Sequence, residues 1–230
     1  MSDFTRFALY YVPEPGALAD FGASWLGWDL VKAEKVAAPE FPGLSANHIH
    51  KLTQTPRKYG FHGTLKPPFR LANGCDLTGL DAAVRQVAQT LQATEMTALK
   101  LDRINGFLAL TPVGDTTGLN AIAQRCVEKL DPFRAPSTEE ELERRRKTPL
   151  TPVQDANLLL WGYPYVFDDF RFHITLTGQM DPARAQDLRY ILATYLDEFL
   201  PRPFCLDQIA LVGERPDGRF QLIQRYDLTG

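Results

Sequence analysis

The chain has 230 residues, 44% of them hydrophobic, and its 25 Lys and Arg against 28 Asp and Glu leave a formal net charge of −3. That length and apolar fraction can bury a large core, as one sizeable domain or two lobes, and the slightly acidic balance disfavours capture of long nucleic acid, which needs a basic face. No run of about 18 apolar residues could cross a bilayer, and the opening Met1-Ser2-Asp3-Phe4-Thr5-Arg6 lacks a leader's charged-then-apolar pattern. Cys75, Cys126 and Cys205 are odd in number, widely spaced and without a CxxC, so neither a disulfide framework nor a thiolate metal site is expected. The expectation is a cytoplasmic monomer that uses no cofactor and binds neither membranes nor long nucleic acid.

In chain order, aromatic-rich Phe4 to Val12 reads as a strand ending at Pro13-Glu14-Pro15-Gly16, and Ala17 to Trp28 carries apolar residues at helical spacing. Residues 31–57 are irregular, with prolines at 39, 42 and 56 and a short helix over Ser45 to Leu52. A strand over Tyr59 to Lys66 closes at Pro67-Pro68, and a helix follows over Leu77 to Leu91. Strands over Thr97 to Ile104 and Phe107 to Pro112 flank Asn105-Gly106, a hairpin turn pair. The order then returns: helix Thr117 to Leu130, long connection Asp131 to Asp169, strand Arg171 to Thr177, and a helix from Pro182 to near Leu200. Strands over Phe204 to Gly213 and Phe220 to Asp227 finish the chain. Each half thus reads strand, helix, insert, strand, helix, strand, an α+β unit used twice.

The two central strands carry one pattern: His62-Gly63-Thr64-Leu65 recurs as His173-Ile174-Thr175-Leu176, 111 positions on. Alternate residues of a strand share a face, so each segment sets an imidazole and a hydroxyl roughly 6–7 Å apart. Phe61 and Leu65, and Phe172, Ile174 and Leu176, fall on the opposite, core-facing side. Two such strands across a cleft would supply two titratable imidazoles and two neutral donors, which suits acid/base chemistry on a phosphate.

At these residues the chain resembles the 2H phosphoesterase superfamily, whose signature is a pair of His-x-Thr/Ser-x motifs. The string Pro56-Arg57-Lys58-Tyr59-Gly60-Phe61-His62-Gly63-Thr64-Leu65-Lys66-Pro67-Pro68-Phe69, with Asp131-Pro132-Phe133-Arg134-Ala135-Pro136, Trp161-Gly162-Tyr163-Pro164-Tyr165 and Phe170 to Thr177, is similar to a branch often encoded in bacterial phosphonate-utilisation operons. The resemblance implies an α+β fold of duplicated ferredoxin-like halves, a bilobal, mainly antiparallel-sheet domain over residues 1–230 with repeats 4–104 and 105–230 and a central cleft. It implies hydrolysis of a small cyclic phosphate or phosphodiester without metal, with His62, His173, Thr64 and Thr175 as the acting groups. The branch carries no assigned reaction, and which histidine is base stays open.

Strand alternation puts Lys58 and Lys66 on the His62 face and Arg171 and Thr177 on the His173 face, where the cations could hold a phosphorylated or nucleotide-like substrate. Arg134 in the second insert and Tyr10, placed to stack on a sugar or base, complete the candidate binding set. Glu139 to Lys147 reads as a solvated helix, capped by Ser137 with Glu140 and laced by Glu140/Arg144, Glu141/Arg145 and Glu143/Lys147 pairs. Two rival readings stand beside this one. His48, His50 and His62 invite a metal, although no HExxH accompanies them. A binder of nucleotides or RNA could also keep the cleft without turnover.

Overall fold

The computed structural model describes residues 4–41 and 43–230; the expectations for Met1 to Asp3 and for Pro42 lie outside these. The elements run β1 (Phe7–Tyr11), α1 (Ala17–Leu26), α2 (Ala46–Leu52), β2 (Gly63–Phe69), α3 (Leu77–Ala88), β3 (Thr94–Met96), β4 (Ala98–Ile104) and β5 (Phe107–Val113). After them come α4 (Thr117–Lys129), α5 (Glu139–Arg146), α6 (Pro152–Trp161), β6 (Ile174–Thr175), α7 (Pro182–Leu196), β7 (Phe204–Leu206), β8 (Gln208–Glu214) and β9 (Phe220–Asp227). Local signals account for many boundaries. Ser45 caps α2 by accepting from the His48 amide, Asp181 caps α7, and Asn105 and Gly106 take the positive φ values of 45° and 93° that a tight hairpin needs. No helix among the described residues is long and apolar enough to cross a membrane.

The fold is α+β with antiparallel sheets. Seven strands form one sheet in the order β4-β5-β6-β2-β1-β8-β9, while β3 and β7 pair separately. The sequence β1, α1, β2, α3, β3, β4 is matched by β5, α4, β6, α7, β7, β8, so the element order repeats and the two histidine segments become neighbours at the sheet centre. Each repeat gives its last strand to the other: β4 pairs with β5, and β8 pairs with β1. Residues 4–104 and 105–230 therefore share one continuous sheet.

One face of that sheet is packed by helices. Phe7, Leu9, Leu65, Leu108, Leu110, Ile174 and Leu211 meet Trp25 of α1, Leu80 and Val84 of α3, Leu119 and Ile122 of α4, and Leu188 and Leu192 of α7. A fully buried Leu, Ile or Phe contributes about 1.5–3 kcal/mol, so this face carries most of the stabilisation. On the other face a smaller cluster, Ala8, Tyr10, Val12, Ala210, Val212 and Phe220, is covered by Trp28 and Leu30. The histidine and threonine side chains emerge on this thinly covered face.

Of the elements that differ from the sequence expectation, three bear on the sheet that carries the site. β2 does not stop at Pro67-Pro68 but runs on to Phe69; the prolines cannot donate, and its register against β1 is irregular there. The second histidine strand shrinks to Ile174–Thr175, leaving His173 just before it. Finally, Phe204 to Gly213 divides at Asp207 into β7 and β8, which lie in different sheets.

Candidate active site

β2 and β6 are antiparallel with Gly63 opposite Ile174. This register sets His62 across from Thr175 and Thr64 across from His173, so the two motifs close into a square with an imidazole and a hydroxyl at alternate corners. The alternation also explains what lies behind the square. Phe61, Leu65, Phe172, Ile174 and Leu176 are all buried on the helix side, as the apolar pattern required. Gly63 stands where the second motif has Ile174, because the Phe172 ring covers it: a Cβ at position 63 would lie 2.3 Å from that ring. Gly63→Ala is expected to cost about 1–3 kcal/mol in urea unfolding, the range for overpacking a filled site. Wild-type stability in that variant would contradict the packing account.

Each imidazole is held at Nδ1 by the carbonyl two residues before it. His62 Nδ1–H donates to Gly60 O at 2.9 Å, and His173 Nδ1–H donates to Arg171 O at 2.7 Å. A carbonyl can only accept, so both rings carry the proton on Nδ1 and leave Nε2 as the acceptor. For His62 the carbonyl is aimed by Gly60 at φ 74°, where a side chain would also strike Leu30. Thr64 Oγ1 donates to His62 Nε2 at 3.0 Å, linking one imidazole to its own motif's hydroxyl.

Burial lowers both imidazole pKa values. His62 falls to about 4, with desolvation the main cause, the Gly60 hydrogen bond opposing it and the nearby His173 adding to it. His173 is lowered in the same way, against the bond to Arg171. The ring of Tyr10 lies stacked on His62, 3.7 Å between centroids, and Tyr59 approaches at 6.1 Å. On the other side Phe107 lies 5.6 Å from the His173 ring. Thr64 and His173 open into a cleft of about 510 Å³ whose walls include Phe107, Tyr163, Tyr165 and Phe167; His62 reaches it through Thr64.

Among known families, one described as a protein of unknown function, DUF1045, matches residues 64–221. The chain belongs to this family. Two curated relatives, from Janthinobacterium sp. (strain Marseille) and Laribacter hongkongensis (strain HLHK9), both named ribose 1,5-bisphosphate phosphokinase PhnN, are 34% and 32% identical to it. The matches cover 98% and 86% of this chain but 51% and 46% of those proteins, so the chain spans about half the length of these relatives. Among solved structures, E. coli LigT in complex with phosphate aligns over 100% of both chains at 11% identity with a TM-score of 0.46. A structure described as a phosphoesterase covers 99% of both at 12% identity and a TM-score of 0.43.

The cations that sequence alternation drew around the imidazoles are distributed differently. Lys66 is turned away: Leu9 pairs with Lys66 and Tyr10 with Thr64, so an extra residue in β2 flips the alternation. Its ammonium, 2% exposed, donates to Val127 O at 3.1 Å and lies 3.7 Å from Asp131 on the helix side, where burial lowers its pKa to about 8. Tyr10 is fully buried beneath His62 and cannot stack on a substrate; it fixes the imidazole plane instead. Lys58 belongs to a 3-10 turn, Arg57–Tyr59, rather than to the strand, and is exposed over the Tyr59 ring. Arg134 is clamped by Asp131 at 2.7 Å and by Leu160 O at 2.8 Å, tying the insert to the end of α6. Arg171 lines the cleft, with Nη1 donating to Asp168 O and Phe170 O. Thr177 is buried, accepting from the Leu108 amide.

The histidines of the metal reading do not converge. His48 Nε2 meets Arg184 at 3.0 Å and His50 Nε2 meets Arg57 at 2.8 Å, away from the His62 contacts. Among the described residues no three His, Cys, Asp or Glu side chains gather as ligands. Sequence reasoning overlooked the backbone carbonyls of Gly60 and Arg171, which carry no side-chain signal. It also passed over Tyr59, Tyr163 and Phe107, whose aromatic character alone does not separate cleft from core.

Proposed function

We propose that the protein is a phosphoesterase of the two-histidine kind, opening a small cyclic phosphate or phosphodiester by general acid/base catalysis. The observation that carries the reading is the cross-strand square of His62, Thr64, His173 and Thr175, with both rings protonated on Nδ1, the His62 Nε2 meeting Thr64 and His173 lining the cleft. A phosphodiester resists attack because its charge repels the nucleophile and its leaving alkoxide is poor. An imidazole that removes a proton from water and a second that protonates the leaving oxygen address both obstacles. His62, more firmly held neutral, suits the base; His173 suits the acid. On substrate binding the Thr64 hydroxyl would turn its proton from His62 Nε2 to a non-bridging oxygen, freeing the base, and the Thr175 hydroxyl would hold another where charge builds up. The products are a phosphomonoester and a freed hydroxyl, one water being consumed.

The name of the curated relatives supports a sugar phosphate as substrate class, since hydrolysis of a ribosyl cyclic ester yields a monoester of the type such a kinase would phosphorylate. Three unpaired cysteines fit the cytoplasmic setting expected for such chemistry. The test is a panel of ribose and nucleoside cyclic phosphates, assayed by phosphorus NMR in excess EDTA. Ring opening of at least one member with undiminished rate in chelator is expected. Activity that vanishes in EDTA and returns with zinc would overturn the two-histidine mechanism, and an inert panel would favour the rival reading of a binding protein.

A further inference from the structure

Helix α5 does not have the self-neutralised surface that its sequence suggests. Thr138, not Ser137, caps it, with Glu141 completing the box, and Glu141 pairs with Arg70 at 3.0 Å rather than with Arg145. Arg144 and Arg145 have no carboxylate within 4.0 Å among the described residues. Both line a small polar hollow together with Arg6, Arg70 and Arg134. Those three are matched by Glu214, Glu141 and Asp131 respectively, so among the described residues neither α5 guanidinium has an ion-pair partner of its own, and Arg144 shares the field of Glu141, which also lines the hollow.

This hollow is linked to the histidine cleft by a chain of shared wall residues. Pro67, Val127 and Tyr163 line both the cleft and an intermediate pocket, whose far wall of Pro68, Phe69 and Arg134 is shared with the arginine hollow. Arg145 lies over the Tyr163 ring at 4.7 Å, so its guanidinium sits beside a residue that also walls the histidine cleft. We propose, building on the phosphoesterase reading, that the substrate carries a second, terminal phosphate that docks on Arg144 and Arg145 while its ester bond lies between the two histidines. Planar guanidiniums without an ion-pair partner of their own are matched to a phosphate's oxygens, and among the described residues lining the cleft beside the histidines Arg171 is the one cation, with Lys66 on the intermediate pocket held by Val127 O and Asp131. Thr64 and Pro68 are four positions apart in β2, at most about 13 Å of strand, which the length of the arginine side chains shortens to the reach of a phosphorylated monosaccharide.

The experiment compares ribofuranose 1,2-cyclic and 2,3-cyclic phosphates, each with and without a phosphate at carbon 5, on the wild type and on Arg144→Ala/Arg145→Ala. The wild type should favour the 5-phosphorylated ester in kcat/KM, and the double variant should lose at least tenfold of that preference. No preference in the wild type, or a preference that survives in the variant, overturns the proposal. Titration with ribose 5-phosphate separates its failure from that of the phosphoesterase reading. If no ester is turned over but the double variant binds ribose 5-phosphate at least tenfold more weakly than both the wild type and the surface control Arg184→Ala, the anion site stands without the hydrolase. An unchanged Kd removes it.

Discussion

Replacing either His62 or His173 with alanine is expected to lower kcat/KM on the hydrolysed cyclic phosphate by at least about 10²-fold, the lower end of what a positioned general acid or base contributes. The expectation follows from the equivalence of the two rings: each is fixed through Nδ1 by a carbonyl two residues upstream, and each is opposed by the other motif's threonine. The loss should fall on kcat, because neither ring is needed to hold the substrate's other groups. Circular dichroism and unfolding curves would verify that each variant retains its fold. An unchanged rate in either variant would leave that histidine outside the chemistry.

The second large effect is on pH. Because His62 has its folded pKa lowered from 6.5 to about 4, the unfolded chain binds a proton in that interval while the folded protein does not. The stability this ring contributes is therefore present above pH 6.5 and is lost as the pH falls toward 4, by about 3 kcal/mol at 1.36 kcal/mol per pKa unit. His62→Gln, which cannot titrate, should lose less stability over that window by about that amount in urea unfolding. The same shift moves the activity profile. With a base that must be neutral and an acid that must be protonated, and with both free-enzyme values below 6.5, kcat/KM should peak on the acid side of 6.5, not at neutrality as two unperturbed imidazoles would give. A symmetric optimum above pH 7, with no stability difference between wild type and His62→Gln, would show that neither ring is desolvated as described.

How far the chain could be read before its structure was known depended on the kind of signal. Period-two alternation around His62 and His173 identified the buried residues behind the motifs, and Asn105-Gly106 and Pro182 marked a hairpin and a helix start, because these rest on local backbone physics. Alternation failed at Lys66, where one extra residue in β2 reverses the side-chain direction, and a bulge of that sort leaves no mark in the residue types. The i,i+4 helix pairing read for Arg145 failed for a different reason: Glu141 has a competing partner, Arg70, that lies 71 positions away. The exchange of last strands between the repeats, and the close approach that makes Gly63 necessary beside Phe172, are likewise decided by tertiary packing and not by any local pattern.

The central claim, that the two histidines act as one catalytic unit, is tested most directly by adding His62→Ala/His173→Ala to the two single variants and measuring kcat for the same cyclic phosphate in EDTA. An acid and a base that serve one transition state are strongly coupled, so the double variant should be nearly as active as the poorer single variant. Losses that multiply, so that the double variant falls by the product of the single effects, would mean that the two rings act independently and would contradict the account.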